Sequence, residues 1–190
     1  RIIGGLLRGK KLKSVPGLTT RPSADYLKES LFNILSFQLE GAIVLDLFAG
    51  TGALGFEALS RGASRAVFID DGPAARGLIR QNIDTLGVIG QTKLWRRDAT
   101  RLGHCRGEPF DLIFADPPYG KGLGVAALNS ARAGGWIAPG ALVVLEESGS
   151  VELGHPEGLE LRDDRSYGET RLLIFVDMGT QPLGASDMND

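Results

Sequence analysis

A glycine-rich turn between an apolar strand and a helix limits the folds open to this chain. The segment from Val44 to Gly55 reads VLDLFAGTGALG, and its glycines at 50, 52 and 55 have the spacing G-x-G-x-x-G. Glycines allow a tight turn and a close approach of the backbone to a ligand. The pattern predicts a strand over residues 43–48 and a helix over residues 53–60.

The rest of the chain continues the alternation of strands and helices. Further strands are predicted at 66–69, 92–96, 112–115 and 141–146, and further helices at 73–86 and 125–133. Segments 159–161 and 172–176 suggest a closing antiparallel pair. The alternation predicts an α/β, Rossmann-like fold with a doubly wound, mostly parallel, seven-stranded sheet, in which ligands bind at the carboxyl ends of the strands.

The segment before the first strand has a different pattern. Residues 1–21 hold several glycines between short apolar pieces and predict one or two short strands or an extended arm, followed by an amphipathic helix over 24–37. We therefore expect three parts: a basic arm and helix over 1–40 that packs on the core, a main domain over 41–178, and a disordered tail over 179–190.

Charge is unevenly distributed along the chain. The net charge is −2, yet six of the 21 basic residues precede the first acid, Asp25. The first 24 residues therefore carry +6, and the remainder, with all 23 acids, carries −8. This asymmetry favours a basic arm that contacts a polyanion, although a solvated basic segment would have the same composition.

Several classes of protein are disfavoured. Cys105 is the only cysteine, so an internal disulfide and a cysteine metal cluster are excluded, and His104 and His155 are not spaced as a metal site. No apolar run approaches the roughly 20 residues of a membrane span, and we see no signal peptide. We expect a cytoplasmic monomer without a metal.

A four-residue motif follows the strand predicted at 112–115. Asp116-Pro117-Pro118-Tyr119 combines a carboxylate, two rigid prolines and an aromatic ring. Such a loop offers acceptors for an exocyclic amine and a flat face for a planar base. It resembles the Asp/Asn-Pro-Pro-Tyr signature of amino-group methyltransferases that use S-adenosylmethionine (SAM). A rigid structural turn is the alternative interpretation.

Acidic residues near the glycines favour SAM over NAD as cofactor. Asp46 lies just before the turn, where it would repel a pyrophosphate but suit the cationic sulfonium of SAM. Asp70, after the second strand, could accept from ribose hydroxyls. Asp98, after the third strand, could accept from the adenine amine or could cap a helix. The predicted cofactor residues are Asp46, Phe48, Gly50, Gly52, Asp70, Asp98 and Ala99.

The motif suggests a mechanism of positioning and charge stabilisation. Asp116 and the carbonyl of Pro117 would accept from the amine and stabilise the positive charge that its nitrogen gains, while Tyr119 stacks on the base. These three are the predicted catalytic residues. Cys105 lies outside any methyltransferase motif and is not expected to act as a nucleophile.

Most of the chain resembles the RsmD-type methyltransferases, which make N2-methylguanine in bacterial 16S ribosomal RNA. The resemblance covers nearly all of residues 1–177 and rests on RIIGG, RGK, TRPS, KESLFN, LDLFAGTGALG, EALSRGA, DPPY and YGET. It implies a class I SAM-dependent methyltransferase fold with a short basic N-terminal extension. It also assigns RNA contact, within a small ribosomal subunit or an assembly intermediate, to Arg1, Arg8, Lys10, Lys11 and Arg21.

The chain departs from the family pattern at some positions. Asp70 stands where Glu is usual, and the adjacent Asp71 could bind the ribose instead. Gly72 and Tyr26 stand where an Asp and a basic residue are frequent. Other functions stay open: methylation of adenine N6 or of a protein glutamine amide, a catalytically silent RNA-binding assembly factor and, more remotely, an NAD-dependent enzyme.

Overall fold

The computed structural model describes residues 1–15, 22–118, 121–150 and 154–179. Its central element is a seven-stranded sheet of order β3-β2-β1-β4-β5-β7-β6, in which β7 runs antiparallel to both of its neighbours. The strands are β1 (Ile43–Leu47), β2 (Arg65–Ile69), β3 (Thr92–Trp95), β4 (Phe110–Ala115), β5 (Ile137–Ser148), β6 (Leu159–Tyr167) and β7 (Thr170–Asp177). The predicted seven-stranded, mostly parallel α/β fold is confirmed.

Helices cover both faces of this sheet. They are α1 (Pro22–Ile34), α2 (Ser36–Leu39), α3 (Ala53–Ser60), α4 (Pro73–Leu86) and α5 (Leu123–Ala133), with a short 3-10 turn at Ile89–Gln91. Phe32 of α1 and Phe56 of α3 are fully buried in the core on one face. Leu128 of α5 and Trp136 are buried on the other. None of the described helices is long and apolar enough to cross a membrane.

The strand order places a switch point between β1 and β4. These strands are parallel neighbours, with Leu47 paired to Ala115. The chain leaves β1 toward α3 on one face and leaves β4 toward α5 on the other. A crevice therefore opens at their carboxyl ends, where sheets of this kind bind ligands.

Residues 1–15 do not form the short strands that the sequence predicted. The backbone instead closes a loop, because Ile2 N–H donates to Lys10 O at 2.9 Å and Gly9 N–H donates to Ile2 O at 2.8 Å. Ile2 is 1% exposed and belongs to the same buried cluster as α1 and α3. The backbone of Gly5 lies so close to α3 that a Cβ there would approach Ser60 O to 1.9 Å. The segment is thus packed onto the core.

Three elements differ most from their predictions. The helix predicted over 24–37 is interrupted at Leu35, which separates α1 from α2. Strand β5 begins at Ile137, before Pro139 and Gly140, because an irregularity in the pairing with β4 accommodates that dipeptide. Strand β6 extends to Tyr167 through charged residues at the sheet edge, where apolar alternation is not required.

Candidate active site

An open pocket lies at the carboxyl ends of the first four strands. Its lining comes from the segments that follow β1, β2, β3 and β4 and from the start of α5. The lining residues are Phe48, Ile69, Asp70, Asp71, Arg97, Asp98, Ala99, Thr100, Pro118 and Leu123. The structure therefore brings the predicted cofactor residues Phe48, Asp70, Asp98 and Ala99 together with the proline loop after β4.

The glycine-rich turn has the tight geometry that its sequence predicts. Phe48 adopts φ 55°, a left-handed conformation that residues with a side chain rarely adopt, and Gly50 and Gly52 have φ 61° and 81°. A Cβ on Gly52 would lie 2.5 Å from the ring of Phe56. A Cβ on Gly50 would meet only Phe48 O, at 4.0 Å, so the backbone there has open space beside it.

Asp46 supports the turn from below. Its side chain is 2% exposed, and its Oδ2 accepts from Gly55 N–H at 3.1 Å, which ties β1 to the start of α3. Burial raises the pKa of Asp46 well above its ordinary value, and the negative charges of Asp116 and Asp70 raise it further. A cationic ligand in the crevice would relieve this cost, because it favours the ionised carboxylate.

Asp70 supports the same turn from β2. Its Oδ2 accepts from Gly50 N–H at 3.0 Å, and its Oδ1 accepts from Gly72 N–H at 2.8 Å. Both oxygens thus position backbone, and each retains a further lone pair for a ligand hydroxyl. Asp71, also in the lining, is exposed. Either carboxylate, that of Asp70 or that of Asp71, is therefore placed to accept a hydrogen bond from a ribose hydroxyl.

Asp98 caps a turn rather than a helix. Its Oδ1 accepts from Thr100 N–H at 2.9 Å and from Thr100 Oγ1 at 2.7 Å. These hydrogen bonds lower the pKa of Asp98 and keep the carboxylate charged. The side chain is exposed to the pocket, and the next residue, Ala99, is buried. A charged acceptor beside a pocket wall suits the amine of an adenine ring.

Asp116 lies at the carboxyl end of β4, next to the strand that carries Asp46. Pro117 is buried, whereas Asp116 is exposed at the rim of the crevice. Protein atoms surround the Asp116 carboxyl closely enough that desolvation, together with the charges of Glu146 and Glu147, raises its pKa to about 8. Tyr119, the third predicted catalytic residue, lies outside the described residues.

The predicted RNA-contact residues lie on the N-terminal segment. Arg8, Lys10 and Lys11 are exposed and form no ion pair within the described part of the chain, so their charges face solvent. Arg1 differs, because its Nε lies 3.3 Å from Asp25 Oδ2 and part of its charge is neutralised. Arg21 lies outside the described residues.

Asn82 joins this segment to the glycine-rich turn, a link that the sequence reasoning missed. Its side chain is fully buried on α4. The Oδ1 atom accepts from Lys13 N–H at 2.7 Å, and the Nδ2 atom donates to Lys13 O at 3.2 Å and to Thr51 O at 3.0 Å. An Asn within a surface-like helix pattern gives no sequence signal for such a role.

Arg97 is a second residue that the sequence reasoning missed. Its guanidinium lies 5.2 Å from the ring centroid of Trp95 and 5.4 Å from that of Trp136, and its Nη1 donates to Leu102 O at 3.2 Å. Arg97 thereby closes one side of the pocket. Its charge is directed onto aromatic rings and a carbonyl, so it is poorly placed to neutralise a phosphate.

The chemistry of the pocket fits SAM better than a dinucleotide. Three carboxylates line it, from Asp70, Asp71 and Asp98, and a fourth, Asp46, lies buried beneath the turn. A pyrophosphate would meet the negative charges of Asp70, Asp71 and Asp98, whereas a ribose, an adenine amine and a sulfonium are all compatible with them. Asp116 then adds an acceptor at the open end of the crevice.

Comparisons with known proteins agree with this geometry. A family model described as "Conserved hypothetical protein 95" matches residues 1–176. "Ribosomal RNA small subunit methyltransferase D" of Escherichia coli K12 is 40% identical over 158 residues, which cover 82% of this chain and 77% of the relative. The protein of the same name from Haemophilus influenzae is 35% identical over 176 residues, which cover 88% and 89%.

A solved structure extends the agreement to the fold. The Escherichia coli protein yhhF has a TM-score of 0.83 to this chain at 35% sequence identity. The match covers 93% of this chain and 97% of yhhF. The fold is that of the class I methyltransferases.

Proposed function

Since this chain belongs to the family described as "Conserved hypothetical protein 95", we propose that it methylates the N2 amine of a guanine in small-subunit ribosomal RNA, with SAM as methyl donor. One observation carries the proposal: Asp116 and its two prolines adjoin an acidic cofactor pocket at the switch point of the sheet. The names of the Escherichia coli and Haemophilus influenzae relatives support the RNA substrate.

The residues that would hold SAM surround the pocket. Asp70 or Asp71 accepts from the ribose, Asp98 accepts from the adenine amine, and the backbone of Phe48, Gly50, Gly52 and Ala99 lies alongside. When bound, SAM supplies a methyl group on a cationic sulfur, which a nucleophile takes up by a single displacement. Asp46 contributes a buried negative charge beneath that cation and fixes the turn through Gly55.

The amine is positioned by the loop after β4. An exocyclic base amine is a poor nucleophile because its lone pair is conjugated with the ring. The Asp116 carboxylate and the Pro117 carbonyl accept from its two N–H bonds, which directs the nitrogen toward the donor and stabilises the positive charge that it gains. We assign stacking on the base to Tyr119, a contact worth about 1–3 kcal/mol in comparable cases. A paired guanine would first leave its stack.

The N-terminal segment supplies the RNA contact in this proposal. Arg8, Lys10 and Lys11 present unneutralised charges on a loop that is packed onto α3. Arg21 belongs to the same basic stretch, and Arg1 would exchange its contact with Asp25 for a phosphate. Residues 1–40 would thus bind RNA while residues 41–178 carry out the transfer, in a monomer that acts on ribosomal subunits or their precursors in the cytoplasm.

A transfer assay with SAM labelled in its methyl group tests the proposal. Undermodified small subunits are incubated with the wild type, with Asp116→Ala and with Asp84→Ala, which removes an exposed carboxylate from α4. We expect Asp116→Ala to lower kcat by about 100- to 1,000-fold, as the loss of one oriented charge-stabilising group does, while SAM affinity stays within about threefold. Asp84→Ala should match the wild type. Full turnover by Asp116→Ala would refute the mechanism.

A further inference from the structure

A second carboxylate lies beside Asp116 on the neighbouring strand. Strands β4 and β5 are parallel, and Ala115 pairs with Leu145. Asp116 and Glu146 directly follow this pair, so continuation of the register places them in the same row and on the same side of the sheet, with the strands about 4.8 Å apart. Glu146 is partly exposed, so a molecule at the Asp116 loop can reach it.

Electrostatics agree with this placement. Burial raises the pKa of the Asp116 carboxyl most, and among the charges that raise it further Glu146 acts more strongly than Glu147. Glu147 points to the opposite side of β5 by strand alternation. It is fully buried, its Oε1 accepts from Ser148 N–H at 3.2 Å, and its Oε2 has no hydrogen-bond partner among the described residues. Two carboxyl groups, those of Asp116 after β4 and Glu146 on the adjacent strand β5, thus lie at the open end of the crevice.

That set of acceptors matches one edge of guanine. On its Watson–Crick edge, guanine presents the N2 amine next to an N1–H, two adjacent donors. Adenine presents its N6 amine next to N1, which is an acceptor. The guanine amine lies between N1–H and N3, and with the amine held at Asp116, a base that turns its N1 side toward β5 would bring the N1–H to Glu146. A carboxylate there would accept from guanine N1–H and would repel the lone pair of adenine N1.

We propose that Glu146 accepts from the N1–H of the target guanine and thereby selects guanine over adenine. This assignment rests on the proposed function, since it presumes that the amine held at Asp116 is that of a base. Glu146 is a specificity residue in this account: it contacts the substrate next to the reacting nitrogen, and Asp116 and Pro117 position the nitrogen itself.

The test uses a base that keeps the amine and lacks the N1–H. 2-Aminopurine is such a base, and it replaces the target guanine in reconstituted small subunits once that guanine has been located. The measurement is kcat/KM for methylation of each base. We expect the wild type to prefer guanine by about 10- to 100-fold, the range for a hydrogen bond to a charged group. In Glu146→Gln the amide can accept or donate, so the preference should fall about tenfold.

Glu147→Gln is the matched control. It also removes a negative charge that acts on Asp116, but on the opposite side of β5, so it should keep the preference of the wild type. An unchanged preference in Glu146→Gln, or an equal loss in Glu147→Gln, would overturn the assignment while leaving the proposed function standing. A wild type that forms no methylated guanine would overturn the proposed function, and the assignment with it.

Discussion

Asp116 combines exposure at the rim of the crevice with a pKa raised to about 8 by desolvation, Glu146 and Glu147. A carboxyl with a raised pKa stays neutral up to higher pH. Only its ionised form accepts from the amine without competing as a donor and stabilises positive charge on the nitrogen. The burial and the negative neighbours that raise the pKa of Asp116 therefore also set the pH above which its carboxylate can stabilise the amine.

The direction of the pKa shift of Asp116 predicts how turnover depends on pH. We expect kcat/KM, which reports the free enzyme, to rise with pH and to level off above about pH 8 as Asp116 ionises. The inflection in kcat should lie at lower pH, because a bound sulfonium favours the carboxylate. Asp116→Asn keeps an acceptor oxygen but cannot ionise, so its residual activity should lack this inflection. The same inflection in Asp116→Asn would assign it to another group.

Gly52 offers a second test among single residues. Its φ of 81° and the 2.5 Å approach of a Cβ to Phe56 exclude a side chain. We expect Gly52→Ala to lower the free energy of unfolding by about 1–3 kcal/mol and to weaken SAM binding. Gly77→Ala is the control, because Gly77 lies within α4 with no atom near its Cβ position. It should stabilise the protein by about 0.5–1 kcal/mol. Denaturant unfolding and calorimetry measure both effects.

Some features of the site can be predicted from the sequence, because their conformation or chemistry restricts the residue types that can stand there. Gly50 and Gly52 have positive φ and Asp46 accepts a hydrogen bond from Gly55, as the glycine spacing and the buried acid indicate, whereas the role of the Asp116 motif stays a prediction. The sequence could not show that one carboxylate oxygen of Asp70 accepts from Gly50 N–H and the other from Gly72 N–H. Both hydrogen bonds depend on the contact of β2 with the turn. Nor could the sequence show Glu146 beside Asp116, which requires the register of β4 and β5.

Among the elements, α4 connects the two halves of the proposed function. It carries Asn82, whose three hydrogen bonds reach Lys13 on the N-terminal segment and Thr51 in the glycine-rich turn. A buried side chain that satisfies backbone groups in two separate segments holds them in a fixed relation. The basic loop and the cofactor turn are therefore placed by the same helix.

Replacing Asn82 should loosen both segments. Asn82→Ala leaves Lys13 N–H, Lys13 O and Thr51 O without their partner, so we expect a loss of about 1–3 kcal/mol in unfolding free energy, weaker SAM binding and faster proteolysis of the N-terminal segment. Gln81→Ala, at the exposed neighbouring position, should stay within about 0.5 kcal/mol of the wild type. Normal SAM affinity together with a protected segment in Asn82→Ala would contradict this account of α4.

The predicted boundaries of helices and strands match the structure where a buried face requires a regular spacing of apolar residues. Helices α3 and α4 begin and end where their apolar spacing and flanking glycines predict. Strand β6 lies at the sheet edge, and its Asp164 pairs with Arg171 of β7, so its polar residues concealed how far it extends beyond residue 161. In the N-terminal segment the suggested short strands are absent, because its structure comes from long-range contacts with α3.

On the scale of the whole molecule, charge separates into a basic N-terminal segment and an acidic body. The body concentrates carboxylates at the crevice, where they suit a cationic cofactor and the donors of a base edge. The basic segment is packed beside α3, and its exposed cations face solvent. This division predicts that RNA is held mainly through phosphates at the segment and read at the crevice.

Salt dependence tests the basic segment. Each phosphate contact contributes a log–log slope of affinity against salt of roughly −0.7 to −0.9. We expect Lys10→Ala and Lys11→Ala each to flatten the slope by about that amount. Lys93→Ala, an exposed lysine on β3 outside this segment, should leave the slope unchanged. Equal slopes in all three variants and the wild type would exclude the segment from RNA binding.

The central claim is tested most directly by identifying the methylated nucleoside. The protein is incubated with methyl-labelled SAM and small ribosomal subunits that lack their modifications, and the digested RNA is analysed by mass spectrometry. We predict labelled N2-methylguanosine, formed about 100- to 1,000-fold more slowly when Asp116→Ala replaces the wild type. Label in N6-methyladenosine, or no label in RNA despite SAM binding, would contradict the account.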